Sequence, residues 1–334
     1  MLDLLSVKMP ILKIRSPSSY KNRALKPVSA SSNSLTSSFF EDKFFKNFFH
    51  SGKRFYDGKM QPQLLCSVEP RPFLKWAGGK SQLIPQYIPY FPKNYSTYYE
   101  PFLGGGAIFF HLQPRRALLM DINSELVNVY QCVRDRVDEL IEFLKHHRNC
   151  HCSDYYYQMR ACIPASAVER AARLIYLNKT CFNGLYRENS KGQFNVPIGR
   201  YKNPGIFDPD LLYAASRSLQ TSEVVIAPFE AVLEYARSHQ DFVYFDPPYH
   251  PISATSNFTA YNRYAFKSDD HIRLRDTFVE LAKRGVKVML SNSDCPFVRE
   301  LYQGFHIHPI LAARAINSNA KRRGKITELL ITSY

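Results

Sequence analysis

Four consecutive apolar residues, Phe242-Val243-Tyr244-Phe245, run without a spacer into Asp246-Pro247-Pro248-Tyr249, and this junction constrains the chain more than any other stretch. The apolar run reads as a strand. Proline has no N–H and a fixed φ, so two prolines cannot continue a ladder. The chain must leave the sheet there in a rigid turn that presents Asp246 and Tyr249 in a crevice. The surrounding pattern is α/β, with short β-branched or aromatic runs separated by amphipathic stretches. Strands are predicted over 97–100, 117–120, 223–227, 242–245, 286–290 and 329–332. Between the second and third lies a long insert that reads as largely helical, over 125–145 and 165–177, followed by a polar, loop-rich tract over 178–204. No internal repeat is visible.

The chain has 334 residues, 45% of them hydrophobic and 22% charged, which excludes a wholly disordered protein. The phenylalanine-rich stretch over 39–55 is interrupted by Glu41, Asp42, Lys43 and Lys46. It therefore falls short of the roughly 18 uninterrupted apolar residues that a membrane span requires. Lysine and arginine number 44 against 29 acidic residues, a net +15, which favours a polyanionic partner such as nucleic acid or, less specifically, an anionic membrane. Residues 1–70 hold 11 basic and five acidic side chains, a net +6, so the remaining +9 belongs to the body of the chain. This leader has the composition of a disordered extension. Its first 40 residues, with six basic side chains and only Asp3 as an acid, also match an organellar transit peptide, and a third reading makes Met60 the initiator. The seven scattered cysteines contain no C-x-x-C pair, which argues for a reducing compartment over a disulfide framework. His146, His147, Cys150, His151 and Cys152 cluster locally, but no second ligand pair accompanies them, so no metal is expected.

Glu100-Pro101-Phe102-Leu103-Gly104-Gly105-Gly106 follows a predicted strand and precedes the apolar run Ala107–Leu112, the strand, glycine turn, helix order of a nucleotide-type cofactor site. Asp121 ends the next strand, where a carboxylate can accept hydrogen bonds from two ribose hydroxyls. A purely structural turn would carry the same glycines, and the G-x-G-x-x-G spacing is absent because position 109 is Phe109. Gly78-Gly79-Lys80-Ser81 is not a phosphate loop, since Leu74 stands where that motif needs its first glycine. It remains a candidate binding loop, placed beside the chain's only tryptophan, Trp76, and flanked by Lys75 and Lys80.

Methyl transfer to an exocyclic amine needs what Asp246-Pro247-Pro248-Tyr249 offers. A carboxylate and a proline carbonyl accept from the NH₂ and turn its lone pair outward, while an aromatic face stacks on the base. With these elements in the order Phe73-Leu74-Lys75-Trp76-Ala77-Gly78-Gly79-Lys80, the glycine turn, Asp121-Ile122-Asn123-Ser124, Phe194-Asn195-Val196-Pro197, Gly199-Arg200-Tyr201, Asp246-Pro247-Pro248-Tyr249 and the run Ser253 to Tyr261, the chain resembles the Dam-type DNA adenine N6-methyltransferases from about Phe73 to Tyr334. Residues 1–70 lie outside the resemblance.

The resemblance implies a Rossmann-like α/β methyltransferase sheet over 71–124 and 223–334, a helical target-recognition insert over 125–222, and S-adenosylmethionine as cofactor. It implies an enzyme that flips adenine from double-stranded DNA and methylates it, at GATC, with no obligatory protein partner. By motif position, Asp246, Pro247 and Tyr249 hold the adenine, and Trp76, Lys80, Phe102, Gly104, Gly106, Asp121 and Asp246 meet the cofactor. Lys75, Phe182, Asn183, Leu185, Arg187, Pro197, Arg200 and Tyr201 are implied DNA contacts. Among them Arg187 stands where GATC-specific relatives read a guanine, Lys75 where they contact the first guanine, and Arg200 and Tyr201 suit the phosphate backbone. Phe182 departs from the enteric-type enzymes, which place a tyrosine there. The intact Asp246 turn weighs against a catalytically silent DNA-binding relative, and the stretch from Phe182 to Tyr201 against an RNA or protein amide substrate. The Lys321-Arg322-Arg323 run reads equally as a phosphate contact or a solvated loop. The expected location is the cytoplasm of a bacterium or phage-infected host, with organellar targeting left open by the leader.

Overall fold

The computed structural model describes residues 68–252, 266–313 and 325–334. The leader up to residue 67, the run Ser253 to Tyr261 and Lys321-Arg322-Arg323 lie outside the described residues. Seven strands, β1 (Thr97–Glu100), β2 (Ala117–Asp121), β3 (Ser222–Ile226), β4 (Asp241–Phe245), β5 (Lys287–Ser293), β6 (His306–Ala313) and β7 (Lys325–Thr332), form one sheet in the order β3-β2-β1-β4-β5-β7-β6. Pairing is parallel from β3 through β5, and β7 runs antiparallel to both β5 and β6.

This order fixes where a ligand can sit. The chain steps outward from β1 to β3, then returns to lay β4 on the other side of β1. Where the strand order reverses, the connections diverge and leave a crevice at the carboxyl ends of β1 and β4. Tyr98 pairs with Phe242 and Tyr99 with Val243, so the turn beginning at Pro101 and the turn beginning at Asp246 leave the sheet side by side.

Burial explains why the central strands read so clearly. Every residue of β4 is buried. Phe242 and Tyr244 enter one core with Tyr98 and Leu119, while Val243 and Phe245 enter the other with Tyr99, Leu118 and Met120. Successive side chains thus serve opposite faces, and each fully buried apolar side chain contributes about 1.5–3 kcal/mol. Helices α1 (Ala107–Leu112), α2 (Ser124–Asp135), α3 (Val137–Asn149), α4 (Ser153–Ala161), α5 (Ala167–Thr180) and α6 (Pro209–Leu219) precede β3. Their buried faces share one core with the sheet. Later, α7 (Ser268–Lys283) and α8 (Pro296–Leu301) cover the other face. Among the described residues, no helix is long and apolar enough to cross a membrane.

The structure differs from the sequence reading in several places. The helix expected over 125–145 is two, α2 and α3, broken at Arg136 (φ −140°, ψ 38°). The helix expected to end at 177 continues to Thr180, so Asn178 opens no loop. Strand β6 was not anticipated. It lies at the sheet edge and pairs with β7 alone, the position that tolerates Pro309 within a strand.

Candidate active site

The floor of the crevice is built on β4 and its turn. Both protein partners of Asp246 reach the same carboxylate oxygen: Lys80 Nζ lies 2.8 Å from Oδ1, and Ser291 Oγ donates to it at 2.9 Å. Oδ2 has no protein partner among the described residues. Lys80 is itself almost wholly buried. Its ammonium also donates to the Gly78 carbonyl at 2.6 Å and stands 4.8 Å from the centroid of the Tyr249 ring. Gly78 takes φ +78°, a conformation that bends the loop so that its carbonyl and Lys80 meet. Pro247 is buried, and Tyr249 is half-buried.

The Tyr249 hydroxyl donates to Glu328 Oε2 at 2.8 Å. Glu328 reaches the crevice because β7 is antiparallel, which sets it opposite Ser293 at the carboxyl end of β5. Burial raises the Glu328 carboxyl; Lys80 and the Tyr249 hydroxyl oppose the rise, and Asp246 adds to it. Burial holds the Tyr249 phenol well above its ordinary range, reinforced by Tyr87, Asp246 and Glu328, so it remains a donor. Glu100, at the end of β1, accepts from the Tyr98 hydroxyl at 2.8 Å. Burial pushes the Glu100 carboxyl up to about 8, with Tyr98 opposing and Asp246 adding.

The second wall is the glycine turn after β1. Gly104 and Gly106 take φ +48° and +66°. A Cβ on Gly106 would sit 2.9 Å from Tyr130 Oη, and one on Gly104 would sit 3.0 Å from Trp76 Cδ1, so the turn has no room for side chains. Asp121 accepts from Gly104 N at 3.1 Å and from Asn123 N at 2.9 Å, one bond to each oxygen. Burial raises the carboxyl, and these backbone donors oppose it. Each oxygen keeps a lone pair, so Asp121 can hold the turn and still accept from a hydroxylated ligand. Asn123 caps α2 through its side chain, accepting from Glu125 N and Leu126 N. Phe102 packs against Phe229, with centroids 5.4 Å apart, and belongs to the aromatic wall with Phe245 and Phe266.

The loop carrying Trp76 and Lys80 is tied to the expected recognition stretch. Asn178, fully buried, accepts from Lys75 N at 2.8 Å, donates to Lys75 O at 2.7 Å and donates to Gly184 O at 3.2 Å. Trp76 stacks on Tyr186 with centroids 5.2 Å apart, and Lys75 Nζ donates to the Tyr201 hydroxyl at 3.2 Å. Phe182 is exposed, and its N–H donates to Pro197 O at 2.9 Å. Asn183 takes a left-handed φ of +55°, which turns the chain into Leu185. Arg187 is exposed and donates from Nε to Asn195 Oδ1 at 2.7 Å, leaving its terminal nitrogens without a hydrogen bond among the described residues. Arg200 is exposed.

The structure thus brings Trp76, Lys80, Gly104, Gly106, Asp121, Asp246 and Tyr249 around one crevice, places Phe102 in its aromatic wall, and sets Lys75 and Tyr201 together beside it. Sequence reasoning missed Asn178, Tyr130, Ser291 and Glu328. Of these, only Glu328 carried a signal, a lone acid in the apolar run over 326–331. The histidine and cysteine cluster is engaged locally: His147 Nδ1 lies 2.6 Å from the Tyr155 hydroxyl and His151 Nδ1 2.9 Å from that of Tyr176. Among the described residues, no three His, Cys, Asp or Glu side chains group as metal ligands.

Comparison with known proteins identifies the family. The profile of the D12 class N6 adenine-specific DNA methyltransferases matches residues 76–316. The chain is 47% identical over 275 residues to a type II methyltransferase of Lactococcus lactis subsp. cremoris, covering 80% of this chain and 96% of that protein. It is 44% identical over 290 residues to a type II methyltransferase of Methanocaldococcus jannaschii, covering 80% and 100%. It is 36% identical over 273 residues to the DNA adenine methylase of Escherichia coli, covering 78% and 94%. An α/β sheet with its crevice at the Asp246 turn, a profile match across most of the chain and relatives covered almost end to end converge on one conclusion: the chain belongs to the D12 class of N6 adenine-specific DNA methyltransferases.

Proposed function

We propose that this adenine-specific DNA methyltransferase acts at GATC, on an adenine drawn out of the duplex into the crevice, with residues 71–124 and 223–334 performing the chemistry and 125–222 recognising the target. The observation that carries this reading is the polarity of Asp246. Lys80 and Ser291 occupy one oxygen, and the other is left to accept from an exocyclic amine.

Enzymes of this family use S-adenosylmethionine, which supplies an electrophilic methyl group when bound. The turn fits such a ligand: its glycines, held bare by the packing of Trp76 and Tyr130 against them, let a ligand approach the backbone closely, and the spare lone pairs of Asp121 border it. In this reading Asp121 holds the ribose hydroxyls, and Trp76, Phe102 and Lys80 complete the cofactor site. Asp246 Oδ2 and the Pro247 carbonyl accept from the N6 hydrogens, aiming the nitrogen lone pair at the methyl carbon. The base lies on the Tyr249 ring. No strong base is required, because the proton departs after the N–C bond forms, when Asp246 Oδ2 is placed to receive it. Drawing adenine from the helix costs a few kcal/mol, and stacking returns about 1–3 kcal/mol.

Arg187 has terminal nitrogens available for the O6 and N7 acceptors of a guanine, a contact worth about 1–3 kcal/mol of discrimination. Lys75 and Phe182 to Leu185 line the approach, and Pro197, Arg200 and Tyr201 flank the backbone. Expression in a strain lacking adenine methylation, followed by digestion with nucleases that distinguish methylated from unmethylated GATC, tests this directly. Protection from one nuclease with cutting by the other is expected, and Arg187→Ala should spread methylation to near-cognate sites. Unmodified GATC with N6-methyladenine at other sequences would refute the assignment.

A further inference from the structure

We infer that Glu328 is a positioning residue for methyl transfer, fixing the Tyr249 ring as the platform on which the target adenine lies; this rests on the reading of the Asp246 turn above. Pro247 and Pro248 set the backbone leading into Tyr249 but leave its side-chain torsions free. Among the described residues, a cation and a carboxylate hold the ring. The Lys80 ammonium stands 4.8 Å from its centroid, and Glu328 Oε2 receives its hydroxyl at 2.8 Å. The ammonium alone would allow the ring to tilt or slide. The carboxylate pins the far end, and an aromatic plane held at one face and at its tip is a preorganised stacking surface.

The sheet brings this second contact to the crevice. Glu328 sits opposite Ser293, whose hydroxyl donates to the His250 carbonyl at 2.7 Å, while the His250 N–H donates to Asn292 Oδ1 at 3.1 Å. Strand β5 therefore grips the backbone just after Tyr249, and β7 grips its side chain. A half-buried acid among Ile326, Leu329, Leu330 and Ile331 would be an unfavourable choice for packing alone. Among the described residues, its carboxylate hydrogen-bonds the group that meets the base.

The test compares steady-state methylation of a duplex oligonucleotide by the full chain with Glu328→Ala, Glu328→Gln, Tyr249→Phe and the Tyr249→Phe/Glu328→Ala double variant. Melting and S-adenosylmethionine affinity are measured on each. Glu328→Ala should lower kcat by ~10–100-fold with cofactor affinity within about threefold, and Glu328→Gln, which keeps a carbonyl acceptor, should recover most of the loss. In the Tyr249→Phe background, where the donor is already gone, Glu328→Ala should cost less than about twofold more. Equal losses in both backgrounds, or wild-type kcat in Glu328→Ala, would overturn the inference. If Glu328→Ala does not fold, Tyr249→Phe decides: a full wild-type kcat there would show that the hydrogen bond positions nothing. A wild-type chain that methylated no adenine would instead overturn the functional reading on which the inference rests.

Discussion

Replacing Gly106 by alanine isolates the physical demand of the glycine turn. Gly106 sits at φ +66°, a left-handed conformation that costs an L-residue about 1–2 kcal/mol. The new Cβ would lie 2.9 Å from Tyr130 Oη. That ring is fully buried and cannot swing away, so the hydroxyl must give up its 3.1 Å bond to the Gly104 carbonyl, at about 0.5–1.5 kcal/mol. Together the loss is about 2–3 kcal/mol, and at ~2 °C per kcal/mol for a domain of this size Tm should fall by about 4–6 °C. Calorimetry gives the stability, and titration with S-adenosylmethionine gives the affinity, which should weaken by at least about tenfold because the turn itself moves. Gly79→Ala is the control, since its Cβ would meet only the Trp76 carbonyl at 3.4 Å, and it should change stability by less than ~0.5 kcal/mol. Adding Tyr130→Phe to Gly106→Ala removes the clashing oxygen and should recover part of the loss. A Gly106→Ala variant with wild-type Tm and cofactor affinity would refute the requirement for a bare glycine at this position.

Lys80→Met leaves Asp246, 21% exposed, with Ser291 as its one protein partner among the described residues; partial exposure tempers the cost to about 2 kcal/mol, and single-turnover transfer should slow by ~100-fold or more. Asn178→Ala strips partners from Lys75 N, Lys75 O and Gly184 O at once, so stability should fall by about 2–3 kcal/mol and the KM values for DNA and cofactor should rise together; a rise in only one would show the two loops to be independent. Glu100 supplies a pH signature. Its carboxyl is raised by burial from an ordinary 4.5 to about 8, so its contribution to stability is fully present below pH 4.5 and is lost as pH rises to about 8. The slope it adds over this window, at most about 1.4 kcal/mol per pH unit, should vanish in Glu100→Gln when urea unfolding is followed across pH.

The elements most legible in the sequence were those whose signal is a run of buried apolar side chains. Strands β1, β2 and β4 and the turns after them fall close to where the pattern puts them, because all three are interior and apolar. Strand β6 escaped because His306, His308 and Pro309 break its apolar pattern, a composition that an edge strand tolerates and an interior one does not. The break at Arg136 has no proline or glycine to announce it, and only Asp138 and Glu139 in the first turn of α3 hint at a new helix start. Polar residues misled most. Ser291, Asn292 and Ser293 fall outside the predicted strand over 286–290, yet they complete β5 and are buried, because Asp246 and the backbone at His250 supply their partners. Asn178 likewise reads as the start of a loop and is instead the last-turn helical residue that ties Lys75 to Gly184. Such residues are chosen for partners distant in sequence, and no local pattern records those.

If methyl transfer occurs at the Asp246 turn, removing that carboxylate must stop it. The decisive assay is labelled methyl transfer from S-adenosylmethionine to a duplex with a single GATC, read by nucleoside analysis and repeated with Asp246→Ala alongside a DNA-binding measurement. N6-methyladenine is expected from the wild-type chain and none above background from the variant, with DNA affinity retained within a few-fold. Substantial N6-methyladenine formation by Asp246→Ala would contradict it.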